Sequence, residues 1–328
     1  MESGRASLAE DRDLDSSGPV ERSAWMDVDW PEHQRWVRVA EQWVKVVELG
    51  SGPPLLFIHG LSCWQSWLEN ICFFARDHRV IAMDLPGFGD SPTPSGTVSI
   101  SGYARTLDAL CESLGVDRAV VVGNSMGGFI GAELAIRFPE RVERLCLAPA
   151  IGLDMQHVRV ERKKNIHNRI ENFLFFALAL LAVRSDMPVR RARLRQKLLA
   201  LVVAHPERIP GALIAQVIRG TGKPAAFTAA LDAMTNYPIR DRLGEIACPT
   251  LIIWGEEDRL VPVSDASEFE WLIPDSRKLI YEDTGHLPML ERPSRFNTDL
   301  SAFLEEGSRV HLRRRRLRAI ASPAPPRT

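Results

Sequence analysis

Cysteine is sparse in this 328-residue chain. There are five, at 63, 72, 111, 146 and 248, an odd number, widely spaced and without a C-x-x-C pair. A disulfide framework and a clustered zinc site are therefore excluded as organising devices. Long apolar runs are also missing. The longest, Phe173 to Val183, has 11 residues, whereas a membrane span needs about 20. The acidic N-terminal stretch has no apolar h-region, so no secretory signal is expected and a cytoplasmic protein is the default. Neither charge dominates: Lys and Arg total 41 against 42 Asp and Glu, for a net charge of -1. That balance gives no electrostatic footprint for nucleic acid. With 45% hydrophobic and 25% charged residues the composition is that of a globular protein. The chain is long enough to bury a core without covalent staples.

The charge is unevenly distributed. Residues 1–30 carry eight acids against three arginines, and seven arginines with no acid follow Glu306. Residues 1–24, polar and without periodicity, read as a disordered arm. Residues 307–328, with Arg313–Arg316 and a proline-rich end, read as a basic tail.

Between these ends, short apolar runs alternate with helical patterns. Trp36–Val39 and Trp43–Glu48 suggest a hairpin. Leu55–Ile58, Val80–Met83, Ala119–Val122, Leu145–Leu147, Thr250–Trp254 and Lys278–Tyr281 have strand length, and most lack alternation, as strands buried on both faces do. Helical patterns at Trp67–Ala75, Ile100–Leu114 and Met126–Phe138 separate several of them, which predicts an α/β fold. The alternation stops near Pro149 and resumes at Cys248. The intervening stretch, 150–244, is mostly helical and basic and reads as a cap inserted into a core of 25–149 and 245–306. Within it, Met155 to Lys197 holds eleven basic residues against three acids. A solvated helix face accounts for that excess. Together with the tail it also suggests weak association with an anionic membrane surface.

Gly123-Asn124-Ser125-Met126-Gly127 fits G-x-S-x-G, directly after the strand Val120–Val122 and directly before a helix. A nucleophilic serine needs this context: a sharp strand-to-helix turn that exposes its hydroxyl, with glycines allowing the backbone to pack closely. The N–H of Met126, at the helix start, would point at a developing oxyanion. His59-Gly60-Leu61 follows the strand Leu55–Ile58, where a second donor, the N–H of Leu61, would lie. By itself that tripeptide reads equally well as a turn around a packed histidine. Asp258 follows the strand Leu251–Trp254, and His286 follows the last strand.

Five ordered motifs carry a resemblance: FIHGLSCW, VIAMDLPGFGDS, VVGNSMGG, ACPTLIIWGEEDRLVP and TGHLPMLERP. Over residues 34–305 the chain resembles the α/β-hydrolase superfamily. The resemblance implies a mostly parallel eight-stranded sheet flanked by helices, with a helical cap after strand six. It implies Ser125 as nucleophile, His286 as base and Asp258 as its orienting acid, with Leu61 and Met126 as backbone oxyanion donors and no metal or cofactor. Asp154 and Asp283 are alternative positions for the acid. Asp84, in the second motif, is expected to be structural, Trp254 and Trp271 are expected to lie in the core, and His157 and His167, near the cap, are candidates for substrate contact.

Serine at the elbow, rather than aspartate, argues against haloalkane dehalogenase and epoxide hydrolase chemistry and for acyl-type chemistry. The GNSMGG elbow is similar to that of the carbon–carbon bond hydrolases of ring-fission dienones. The oxyanion loop and the Leu287-Pro288 after His286 depart from that group. The expected function is hydrolysis of a carboxylic ester or lactone of a medium-sized, largely apolar substrate. Alternatives are a carbon–carbon bond hydrolase, a perhydrolase-type activity on the same triad, and a non-catalytic binding protein on the hydrolase fold.

Overall fold

The structure, a computed structural model, describes residues 23–94, 96–153, 199–220, 223–235 and 237–306. The N-terminal arm apart from residues 23 and 24, the larger part of the expected cap (154–198), its histidines 157 and 167, Asp154, and the basic tail lie outside the described residues. Among the described residues no helix is long and apolar enough to cross a membrane.

Eight strands form one sheet: β1 (Gln34–Val39), β2 (Gln42–Leu49), β3 (Pro54–Ile58), β4 (Arg79–Met83), β5 (Ala119–Ser125), β6 (Val142–Ala150), β7 (Thr250–Gly255) and β8 (Ser276–Tyr281), in the order β1-β2-β4-β3-β5-β6-β7-β8. β2 runs antiparallel to both neighbours, and β3 to β8 run parallel. The unbroken apolar runs have the predicted cause. All seven residues of β5 and all six of β7 are buried, because helices cover both faces of a parallel sheet. Two strands outrun their sequence patterns. β5 continues to Ser125 itself, and β6 starts at Val142 and ends at Ala150.

Among the described residues the helices are α1 (Leu68–Phe74), α2 (Ile100–Ser113), α3 (Met126–Arg137), α4 (Gly211–Arg219), α5 (Pro224–Thr235), α6 (Ser264–Leu272), α7 (Pro288–Glu291) and α8 (293–306). α2 has one buried stripe of Ile100, Tyr103, Ala104, Leu107, Leu110 and Cys111, the i, i+3, i+4 pattern of a helix laid on a sheet. Its start is capped by Ser99, whose hydroxyl accepts from Gly102 N at 3.0 Å. α3 is buried along nearly its whole length, from Met126 to Ile136. α6 corrects one expectation. Trp254 is fully buried as expected of core, but Trp271 is 77% exposed. The inward face of α6 is set by Asp265, Ala266 and Phe269. Position 271, two residues past Phe269, is about 200° further round the helix and faces water. From 199 to 244 the described residues hold two short 3-10 turns and helices α4 and α5, with no strand among them.

Candidate active site

The parallel strands deliver their carboxyl ends to one side of the sheet, where ligands of open α/β folds bind. β5 ends on Ser125, whose φ of 56° and ψ of -119° lie in a region L-residues rarely occupy. Close packing holds the residue there. A Cβ on Gly123 would overlap the Gly127 carbonyl, and one on Gly127 would overlap the carbonyls of Ile58 and His59. The glycines of the motif thus let α3 start against β3 and β5 with no side chain between. The chain cannot relax the turn at Ser125 without breaking that contact.

The loop after β3 lies directly over the serine. A Cβ on Gly60 would lie 2.9 Å from Ser125 Cβ and 3.5 Å from its Oγ. His59 is buried and faces away from chemistry. Its Nε2 accepts from Leu85 N at 2.9 Å, which puts the ring proton on Nδ1, 2.7 Å from Gly60 O. Burial lowers its pKa to about 4, opposed by the Gly60 hydrogen bond. His59 is thus a neutral strut that fixes the loop carrying Leu61. Among the described residues, neither Leu61 N nor Met126 N has a hydrogen-bond partner.

His286, in the loop after β8, lies with its Nδ1 2.7 Å from Asp258 Oδ2. The other carboxylate oxygen of Asp258 accepts from Leu260 N at 2.8 Å and Val261 N at 2.9 Å. These bonds aim the carboxylate at the ring. Ser125, Asp258 and His286 are 5%, 9% and 3% exposed, so the pair is shielded from bulk water. Asn124, the residue before the serine, donates from Nδ2 to His286 O at 3.3 Å, joining the elbow to the histidine loop. The structure thus pairs His286 with Asp258, joins their loop to the elbow through Asn124, and packs Gly60, next to Leu61, against Ser125. Asp283 is turned elsewhere: its carboxylate takes Arg208 Nη1 at 2.7 Å, Arg292 Nη2 at 3.0 Å and the His205 ring. Among the described residues no group of three or more His, Cys, Asp or Glu is placed to hold a metal ion.

Asp84 ties the oxyanion loop to the turn after β4. It accepts from Trp64 N at 3.1 Å and Asp90 N at 2.9 Å. Burial raises its pKa to about 7, against those two hydrogen bonds. A carboxyl raised in the folded state stabilises fully below its unfolded pKa of about 4, and that contribution is lost as pH rises through about 7. Relative to Asp84→Asn, the wild type should therefore lose about 1.4 kcal/mol per pH unit across that window. Urea unfolding of both proteins along a pH series checks this, and a constant difference between them would contradict it.

Sequence reasoning missed Glu291. Its carboxylate accepts from Gly285 N, Leu287 N and Ala204 N. The local signal is slight: a glutamate one helical turn after Leu287. The contact with Ala204, 87 positions away, has no sequence signature.

A model of the alpha/beta hydrolase fold matches residues 53–293. An uncharacterized protein of Mycobacterium tuberculosis is 31% identical over 294 residues, covering 83% of this chain and 81% of its own. A 2-hydroxy-6-oxononadienedioate/2-hydroxy-6-oxononatrienedioate hydrolase of Paraburkholderia phymatum is 29% identical over 276 residues, covering 78% of this chain and 84% of its own. Among solved structures, a membrane phospholipase A described as a bacterial virulence factor is similar, with 30% identity, a TM-score of 0.67, and 84% and 86% of the two chains covered. Sheet order, elbow, histidine–aspartate pair and matched length agree, and the chain belongs to the alpha/beta hydrolase fold family.

Proposed function

We propose that this hydrolase is a serine hydrolase that cleaves a carboxylic ester or lactone of a medium-sized, largely apolar substrate through an acyl-enzyme. The observation that carries this reading is the buried His286–Asp258 pair, joined through Asn124 to the strained turn at Ser125. Asp258 accepts the Nδ1–H of His286, leaving the Nε2 lone pair free to take a proton. Ser125 Oγ attacks the substrate carbonyl carbon as its proton passes to His286 Nε2. The carbonyl oxygen becomes an oxyanion, which accepts from the N–H groups of Leu61 and Met126. Collapse breaks the ester C–O bond, and the leaving alkoxide takes the proton from His286. Water then repeats the sequence on the acyl-enzyme and releases the acid.

Two observations favour esters over carbon–carbon bonds: the FIHGLSCW oxyanion loop and the likeness to a phospholipase A. The comparable likeness to a dienedioate hydrolase supports carbon–carbon cleavage as the second reading. The test is turnover of p-nitrophenyl esters of increasing acyl length beside a ring-fission dienone. A chain-length optimum on the esters, with slower dienone cleavage, is expected. Faster dienone cleavage would transfer the assignment to the second reading. Failure of a fluorophosphonate to label Ser125 in the folded protein would remove both.

A further inference from the structure

Three consecutive amides, those of residues 285, 286 and 287, surround the candidate base. The outer two donate to Glu291, Gly285 N at 3.0 and 3.1 Å to its two oxygens and Leu287 N at 3.2 Å. The middle one, His286 N, donates to Val202 O at 2.7 Å. Ala204 N, two residues beyond Val202, returns to the same glutamate at 2.7 Å. One carboxylate thus grips both peptide neighbours of His286 and also the segment that holds His286 itself. The packing is close: a Cβ on Gly285 would lie 2.7 Å from Ala204 N and 2.8 Å from Val202 O.

The same segment reaches the other half of the pair. Arg259, which follows Asp258, donates from Nη1 to Ala200 O at 2.7 Å. Further along, His205 and Arg208 bind Asp283, which lies before His286 in the same loop. Residues 200–208 therefore touch both loops whose separation sets the Asp258–His286 distance. Burial pushes the Glu291 carboxyl up, and its three N–H donors oppose that.

We propose that Glu291 is a positioning residue for His286, and that it acts by fastening residues 200–208 against the two peptide groups flanking that histidine. The proposal rests on the Ser125–His286–Asp258 reading. Glu291→Gln leaves one oxygen and turns an NH2 toward an amide donor that the carboxylate had accepted, so at least one of the grips is lost. A misplacement of about 1 Å in a reacting group can cost about 10²-fold.

The experiment measures, in intact wild type and E291Q, the rate of Ser125 labelling by a fluorophosphonate and the downfield proton resonance of His286 Nδ1–H. That resonance is assigned by its loss in His286→Ala. In E291Q the labelling rate should fall about tenfold or more, and the resonance should broaden or move while thermal unfolding still shows a folded protein. A generic loss of stability leaves that resonance in place in the folded fraction. Glu291→Asp, which keeps the charge but retracts it by one methylene, should fall between the two. Wild-type labelling and an unmoved resonance in folded E291Q overturn the proposal. So does failure of both variants to fold, which would make Glu291 a stability residue. If wild type itself does not label at Ser125, the proposed function fails, and the resonance still decides the role of Glu291.

Discussion

Replacing Ser125 by alanine is expected to lower ester turnover by about 10⁶-fold, the scale of nucleophile loss in a serine hydrolase of another fold. The residual rate comes from binding and the oxyanion donors alone, about 10³–10⁴ over water. The fold should not respond. Alanine keeps the Cβ, so the backbone at φ 56° meets the same surroundings, and the serine side chain makes no capping hydrogen bond to α3. Turnover, fluorophosphonate labelling and thermal unfolding of the two proteins give the check. Ester cleavage surviving undiminished in the variant would sink the serine mechanism, whatever its effect on stability.

Asp258→Asn should cost about 10⁴-fold in kcat, and here the structure supplies the reason. Leu260 N and Val261 N both point at Asp258 Oδ1. An asparagine would have to keep its oxygen there, since its NH2 would otherwise meet two donors. Its NH2 is thereby turned toward His286 Nδ1, which must become an acceptor. The ring proton then moves to Nε2, where the proposed mechanism needs a lone pair, and the base is in the wrong tautomer. KM should change little, because no substrate contact is altered. Steady-state kinetics with a p-nitrophenyl ester, alongside thermal unfolding, reads the effect. A loss below tenfold in a folded protein would mean that another acid orients His286. Asp283 is not available for that role, as Arg208, Arg292 and His205 already take its carboxylate.

These two expectations differ in where they could be read. The serine is legible in the chain because its chemistry depends on neighbours in sequence. A strand of valines, a glycine two residues before and a glycine two residues after are enough to describe a turn that forces the hydroxyl out. The strands are legible for a similar reason, since burial on both faces leaves an unbroken apolar run. Their ends are less so. β6 extends from Val142 to Ala150 because its pairing with β5 continues on both sides of the apolar run Leu145–Leu147. Trp271 was misread because an aromatic residue looks the same on either face of a short helix, and only the direction of α6 against β7 and β8 decides which side is wet.

By itself, then, the sequence determined the fold class, the elbow at Ser125 and the order in which Asp258 and His286 follow it. The first two depend on local backbone preference and on the periodicity of apolar residues, the last on the resemblance of its motifs to the α/β-hydrolase superfamily. Only the tertiary structure decided the tautomer of His59, the seating of His286 Nδ1 on Asp258, the raised carboxyl of Asp84 and the grip of Glu291 on Ala204. Each of these is a hydrogen bond or a burial shared by residues brought together by packing. Its strength depends on the water that packing excludes, which no stretch of adjacent residues records.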